Sequence, residues 1–358
     1  MWKAVQEPRR RLTVRMRRWM KTDTLHAIPS APELLRIHLT GRCNLSCRYC
    51  YVDKSVQDLP LSAWLKLLAD ARAMRVFRLS LSGGEVLCCN YWRDFISEAV
   101  ASSMRFSLAT NGVLLDAAAV NFISETKRCD RVIISLDGTR EIHDSMRGFG
   151  TFDSAWCAIK RCREAGIKVV PKLTIGKHNF NFLEEIFDFF FHQNSLPPIT
   201  INIGWKINSR CDGTLPFDDI VIVRNKIESL AKRYSENMLK EGALKSFLHW
   251  HDVESGIIDG GRDYSCGGVF TRLTIMENGD IKPCTQHNEV LGNITRDALQ
   301  KVWLEAPILK AMRNNFGSSL VRYASCKHCR YINHCTGTCP LTPEFCAGKF
   351  AENASTTN

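Results

Sequence analysis

A chain of 358 residues with a formal net charge of +11 and sixteen cysteines is long enough to bury an extended core, as one barrel-type domain or as a larger and a smaller one. Secreted disulfide scaffolds are short and follow an apolar signal segment, whereas residues 1–20 are basic throughout. With no apolar run of 18 residues and the longest candidate broken by Asp188 and His192, a membrane-spanning helix is not expected, and the reading is a cytoplasmic chain whose reduced thiols are available for metal.

Residues 1–33 form a basic arm. Its first 21 residues hold eight positive side chains against Glu7, so those 21 residues carry +7 and the rest of the chain +4. Charge concentrated in an arm rather than a groove argues against nucleic acid as the partner of the folded body. Leu12, Met16 and Trp19 or Met20 make an apolar stripe among the arginines, which suits an acidic leader peptide, an anionic membrane surface or a plain solvated extension.

From residue 34 short β-rich runs alternate with amphipathic stretches. Strands are predicted at 34–40, 75–82, 105–110, 131–136, 168–175 and 199–206. Between the first two, Leu61, Trp64, Leu65, Leu68 and Met74 share one helical face; Phe122 with Ile123, residues 155–162 and residues 183–190 mark later helices. Such alternation implies right-handed crossovers and a parallel sheet. The predicted fold class is α/β, a partial (β/α)6 TIM-type barrel over 34–212, with its chemistry on the loops leaving the C-terminal strand ends. Those loops are 41–51, 83–89, 111–113, 137–148 and 208–213. Residues 213–262 read as a helical bridge with two helices within 217–250, the first carrying Ile220, Ile222, Val223, Ile227, Leu230 and Ala231, the second over 239–250. From 263 to 346 periodicity fades and Cys, Gly and Pro become frequent, as where metal replaces an apolar core. Residues 347–358 read as a flexible tail.

Cys43, Cys47 and Cys50 follow the first strand in Cys-x3-Cys-x2-Cys spacing. Three thiolates serve three irons of a [4Fe–4S] cube and leave the fourth open. A zinc loop short of one ligand, or three buried cysteines, fits the spacing alone. With Tyr49 before the third cysteine, the loop resembles that of the radical S-adenosylmethionine (SAM) superfamily, and four further segments match in order. Gly83-Gly84-Glu85 resembles the motif that binds the SAM amino group. Asn111 ends the third strand in Ala-Thr-Asn-Gly. The segments Ser135-Leu-Asp-Gly and Ile142 to Arg147 resemble the region supplying Ser135 to the ribose or carboxylate and Arg147 to the carboxylate, which a guanidinium grips through two hydrogen bonds. Residues 166–173, ending at Leu173, resemble the adenine-contacting strand. The chain departs from the family where Val86-Leu87 replaces the usual Pro-Leu.

A second set comprises Cys266, Cys284, Cys326, Cys329, Cys335, Cys339 and Cys346. Paired Cys-x-x-Cys alone would suggest zinc. The spacing, including Gly279, resembles the SPASM extension of radical SAM maturases, and the resemblance implies two auxiliary [4Fe–4S] clusters, three in all. Cys326, Cys329, Cys335 and Cys346 would hold one; Cys266, Cys284 and Cys339 would hold the other. The missing ligand is an open iron, Asp263, His287 or another cysteine. Cys129, Cys157 and Cys162 read as small buried hydrophobes. Cys88 and Cys211 fall on mouth loops, where a thiol can return a hydrogen atom to a substrate radical; Cys211 is the catalytic candidate.

The resemblance implies reductive cleavage of SAM to a 5′-deoxyadenosyl radical and hydrogen abstraction from a peptide or protein, foremost maturation of a ribosomally synthesised peptide by cross-link, thioether, epimerisation or oxidation. The implied partners are a precursor peptide, a flavodoxin or ferredoxin as electron donor, and a separate leader-binding protein. Sulfatase-type maturation fits less well, because Thr285 stands where that family places an aspartate base. Small-molecule cofactor biosynthesis and a non-catalytic iron–sulfur carrier or sensor are the alternatives.

Overall fold

The computed structural model describes residues 29–192, 199–203, 271–285 and 287–314, with single positions between 215 and 240. Six strands pair in parallel and in chain order: β1 (Leu34–Thr40), β2 (Arg78–Gly83), β3 (Arg105–Thr110), β4 (Cys129–Ser135), β5 (Val169–Ile175) and β6 (Ile199–Ile203). The crossovers contain α1 (Leu61–Ala73), α2 (Trp92–Ala101), α3 (Ala117–Glu125), α4 (Arg140–Arg147), α5 (Thr151–Glu164) and α6 (Leu183–His192). This is the wall of the expected partial barrel. β2 starts three residues later than expected, because Arg75 turns the chain at φ 61°, outside the extended region.

The strands alternate in burial. Leu35, Ile37, Leu39, Leu79, Leu81, Phe106, Leu108, Val132, Ile134, Leu173 and Ile175 point outward into one core with the helices. On α1 the inward stripe is Trp64, Leu67, Leu68 and Ala71, at helical spacing. Leu65, expected on that face, lies on its edge and is 36% exposed.

The sheet runs on at both edges. β7 (Leu239–Lys240) pairs in parallel with β6, so its two residues extend the sheet where a helix was expected to begin. β8 (Arg272–Ile275) pairs in parallel with β1; β9 (Asp280–Lys282) and β10 (Gly292–Asn293) follow antiparallel. The Asn278-Gly279 turn, with Gly279 at φ 86°, closes the β8–β9 hairpin. Periodicity therefore persists past residue 263: this part of the Cys-rich region continues the barrel wall, and α7 (Leu299–Glu305) and α8 (Pro307–Asn314) follow it. Trp303, fully buried, donates from Nε1 to the carbonyl of Pro29 at 2.7 Å, and Lys66 of α1 reaches the carbonyl of Ile294 at 2.9 Å.

Of the cysteines expected inside, Cys162 is buried, Cys129 half-buried and Cys157 exposed. Cys157 lies on the solvent side of α5, between inward-facing Ala155 and Ala158. No helix among the described residues is long and apolar enough to cross a membrane.

Candidate active site

The cluster loop leaves β1 under tight control. Thr40 Oγ1 donates to the Asp58 carboxylate at 2.7 Å, and the same carboxylate accepts from the Gly41 amide at 3.1 Å and Arg42 Nε at 2.9 Å. Both ends of the 41–58 segment are thus fastened, leaving Cys43, Cys47 and Cys50 half-buried between them. The Leu45 amide donates to Cys43 Sγ at 3.4 Å, the Cys50 amide to the Cys47 carbonyl at 3.1 Å, and the Arg48 amide to the Met146 carbonyl on α4 at 3.2 Å.

Burial pushes the Cys43 and Cys47 thiols above their ordinary pKa; the charge of Cys50 adds to this at both, and that of Cys43 adds to it at Cys47. Their deprotonation therefore calls for a positive centre. Among the described residues no group of three His, Cys, Asp or Glu closes around a single metal ion; a cube instead distributes its three thiolates over three irons. Donors stand ready for sulfur: Arg147 Nη1 is 3.9 Å from Cys47 Sγ and Asn111 Nδ2 is 4.0 Å from Cys43 Sγ, besides the Leu45 amide. N–H groups aimed at sulfur stabilise the negative charge of a ligated cluster, so the donor set fits the group that the spacing implies.

Gly83 and Gly84 differ from expectation in what requires them. A Cβ on Gly83 would lie 2.4 Å from the Thr40 carbonyl, and one on Gly84 would lie 2.3 Å from the Arg42 carbonyl. The Gly84 and Glu85 amides donate to those two carbonyls at 2.8 and 2.7 Å. These glycines let the second loop lie against the cluster loop, and the Gly84 and Glu85 amides serve that contact rather than a ligand. Glu85, 1% exposed, accepts from the Asn111 amide at 2.7 Å and the Leu87 amide at 3.1 Å. Burial pushes its carboxyl up, against the pull of those amides. Asn111 then reaches Asn44 Oδ1 at 2.8 Å, so three mouth loops form one hydrogen-bonded unit. Cys88 Sγ sits 3.9 Å from the same Asn44 oxygen.

Opposite lies a buried ion pair. Asp137, without solvent exposure, accepts from Arg147 Nε at 2.6 Å, from the Tyr49 hydroxyl and from the Thr174 amide at 3.0 Å. Burial alone would raise the Asp137 carboxyl; Arg147 overrides it and holds the carboxyl below its usual range. Arg147 is raised in turn by Asp137, against the desolvation that would lower it. Its Nη2 meets the Tyr49 hydroxyl. The two-bond grip on a SAM carboxylate expected of Arg147 is thus already committed in part to Asp137, which at zero exposure requires a cation. The Tyr49 ring stacks on His178 at 5.0 Å. The Asp137 amide donates to His143 Nδ1 at 3.1 Å, and burial lowers His143 to about 4.

Ser135 ends β4 and pairs in the ladder with Lys172. Leu173, expected at the adenine, is fully buried in the outer core; period-two alternation sends its side chain to the helices and that of Lys172 to the inner face. Cys284 follows β9, and His287 occupies the same turn, its amide donating to the Cys284 carbonyl at 3.2 Å. His287 Nδ1 accepts from the Glu289 amide at 3.1 Å. Cys211, Cys266, Cys326, Cys329, Cys335, Cys339, Cys346, Asp263 and residues 1–28 of the basic arm lie outside the described residues. Asp137, Asn44, His178 and Lys172 were not singled out in the sequence. Asp137 alone carried a signal, as a carboxylate ten residues before Arg147 in the same motif.

Residues 37–190 match the family model of the radical SAM superfamily, and residues 266–330 match SPASM, an iron–sulfur cluster-binding domain. The chain is 23% identical over 285 residues to the sporulation killing factor maturation protein SkfB of Bacillus subtilis, covering 76% of this chain and 65% of that protein. It is 32% identical over 167 residues to Fe-coproporphyrin III synthase of Methanosarcina barkeri, covering 45% and 41%. It thus spans less than two thirds of either relative. The crystal structure of Streptococcus suis SuiB bound to precursor peptide SuiA superposes with a TM-score of 0.72 at 19% identity, over 97% of this chain and 80% of that one. The matched segments, the parallel barrel wall and the loop of three cysteines agree that residues 37–190 carry a radical SAM domain and residues 266–330 a SPASM iron–sulfur cluster-binding domain.

Proposed function

We propose that this enzyme reductively cleaves SAM at a cluster on Cys43, Cys47 and Cys50 and uses the 5′-deoxyadenosyl radical to take hydrogen from a ribosomally made peptide during its maturation. The observation that carries the reading is the meeting of the cluster loop, the Glu85–Asn111 contact and the Asp137–Arg147 pair at one barrel mouth. A cluster and SAM bound there supply the one-electron cleavage and the abstracting group, and the protein supplies orientation.

In this reading Arg147 donates to Cys47 and Asp137 holds it there. Tyr49, braced on His178, flanks the nucleoside. The Gly84 and Glu85 amides lock two loops together, which leaves the carbonyl edge of the same segment to accept from the SAM ammonium. Ser135 faces the ribose or carboxylate from the end of β4. Leu173 contributes only backbone to the adenine. Cys266, Cys284, Cys326, Cys329, Cys335, Cys339 and Cys346 would hold two auxiliary clusters, which would supply electron exchange with the substrate, and Cys211 would supply the returned hydrogen atom. A flavodoxin or ferredoxin supplies electrons, and a separate protein presents the leader.

Peptide maturation is supported by the similarity to SkfB, a killing factor maturation protein, and by the peptide bound to SuiB. The match to Fe-coproporphyrin III synthase, the higher identity over a shorter span, favours a tetrapyrrole as the second reading. Anaerobically reconstituted protein is incubated with SAM, dithionite and deuterated short peptides encoded beside its gene. The expected result is a changed peptide mass and deuterium in 5′-deoxyadenosine. In a parallel incubation with an iron tetrapyrrole bearing acidic side chains in place of the peptides, 5′-deoxyadenosine formation and a changed tetrapyrrole mass, without any peptide reaction, would replace the first reading by the second.

A further inference from the structure

The inner face of the barrel carries positive charge that nothing above uses. Arg36 lies between outward-pointing Leu35 and Ile37 on β1, and Lys172 between Pro171 and Leu173 on β5, so both point inward and both are half-buried. Arg272 opens β8, next to β1. Burial lowers Arg36, and the charge of Arg272 lowers it further; burial lowers Lys172 to about 8, with Arg36 and then Arg147 adding to the effect. Among the described residues none of the three cations has an ion-pair or hydrogen-bond partner in a carboxylate. The nearby Asp137 is already held by Arg147.

Uncommitted hydroxyls accompany the charge. Thr274, paired with Arg36 across the β1–β8 ladder, is fully buried, and among the described residues its Oγ1 has no hydrogen-bond partner. Ser82 Oγ, two residues up the inner side of β2 from Arg36's ladder partner Ser80, is buried and unpartnered as well. A buried hydroxyl left unpaired costs about 1–3 kcal/mol, and a half-buried cation without a counter-ion is costly too. A bound anion relieves both. Lys172 pairs with Ser135 at the end of β4, so the cationic face begins directly beneath the proposed SAM site.

We propose that Arg36, Lys172 and Arg272, with the Thr274 and Ser82 hydroxyls, form a carboxylate site on the inner barrel face that anchors an acidic group of the peptide substrate below SAM. The proposal rests on the peptide reading for the identity of the substrate, but not for the existence of the anion site. Arg36 and Lys172 act in it as specificity-determining groups, and no bond is made or broken there.

The test uses the reconstituted full chain, saturated with SAM. It is titrated with two dansylated pentapeptides that differ only in a central Glu or Gln, and with Fe-coproporphyrin III, whose propionates carry the same chemistry. The expected result is binding of the Glu peptide about tenfold tighter than the Gln peptide, the value of one charge-assisted contact. That preference should fall below about twofold in R36Q/K172Q, and in the milder K172M alone it should shrink part of the way. SAM affinity measured in the same variants reports an intact fold and is expected to stay within about twofold. Equal affinity for the two peptides in the unaltered protein, a Glu preference that survives in R36Q/K172Q, or a tenfold loss of SAM affinity in the variants each overturns the proposal; the last would assign the cations to SAM. Tight Fe-coproporphyrin III binding, lost in R36Q/K172Q while neither peptide binds, upholds the anion site and overturns the peptide reading alone.

Discussion

Along β1, Leu35, Ile37 and Leu39 are fully buried beneath the helices, while Arg36, His38 and Thr40 point the other way. β5 repeats the division with Leu173 and Ile175 outside and Lys172 and Thr174 inside. The outer residues are interchangeable in kind, since any close-packed apolar set of the right volume holds helix to sheet. The inner ones are not: His38 Nδ1 lies 3.6 Å from Glu277, Thr40 Oγ1 anchors the cluster loop through Asp58, and the Thr174 amide donates to Asp137. One strand thus serves stability on one side and chemistry on the other. Ordinary closed barrels of this type fill the inner side with Val, Ile and Leu; polar and charged residues there mark an interior built to receive something.

That contrast can be broken at chosen points. The largest effect on folding is expected inside, at the Asp137–Arg147 pair: D137N leaves a buried guanidinium without its counter-ion and should cost about 3–5 kcal/mol in urea unfolding. Because Arg147 depresses the Asp137 carboxyl, the stabilisation is present above the unfolded carboxylate pKa and is lost only as pH falls through the lower folded value. The D137N penalty should therefore be the same at pH 6 and pH 8. On the outer face L81A should cost about 2–5 kcal/mol through the cavity it leaves, with SAM affinity unchanged. K172M, on the inner face, should change stability by less than about 1 kcal/mol. If L81A altered SAM affinity as strongly as it altered stability, the two faces would not be independent.

A smaller effect distinguishes His143. Its folded pKa of about 4 lies below the ordinary 6.5, so the unfolded chain binds the proton first. Stability from this group is complete above pH 6.5 and is lost as pH falls toward 4. Between pH 7.5 and 5 the protein should lose about 2 kcal/mol on this account, and H143Q should lack that slope.

The outer face was legible in the sequence because apolar periodicity is a local property. β1 and β3 begin and end where the alternation of residues 34–40 and 105–110 requires. The order of the cysteine loop, Glu85, Asn111 and Arg147 was legible through its motifs. The inner pairings were not. Nothing in Asp137's neighbours reveals that Arg147 folds back to it, and Leu173 was read for Lys172 because a motif names a strand without stating which way its side chains point. Gly83 and Gly84 were legible as necessary, but the reason is contact with the Thr40 and Arg42 carbonyls, a long-range encounter. The hairpin from β8 to β9 was hidden by its surroundings: Cys-rich sequence suggested irregular chain, yet Arg272–Ile275 alternates well enough to extend the sheet beside β1.

The central claim is that Cys43, Cys47 and Cys50 hold the centre that cleaves SAM. It is tested most directly by 5′-deoxyadenosine formation from SAM under dithionite, comparing anaerobically reconstituted protein with the variant in which these three cysteines are Ala and the seven C-terminal cysteines remain. Steady production is expected from the unaltered protein and none above background from the variant, which should still take up iron at the other cysteines. Equal 5′-deoxyadenosine from both proteins would contradict it.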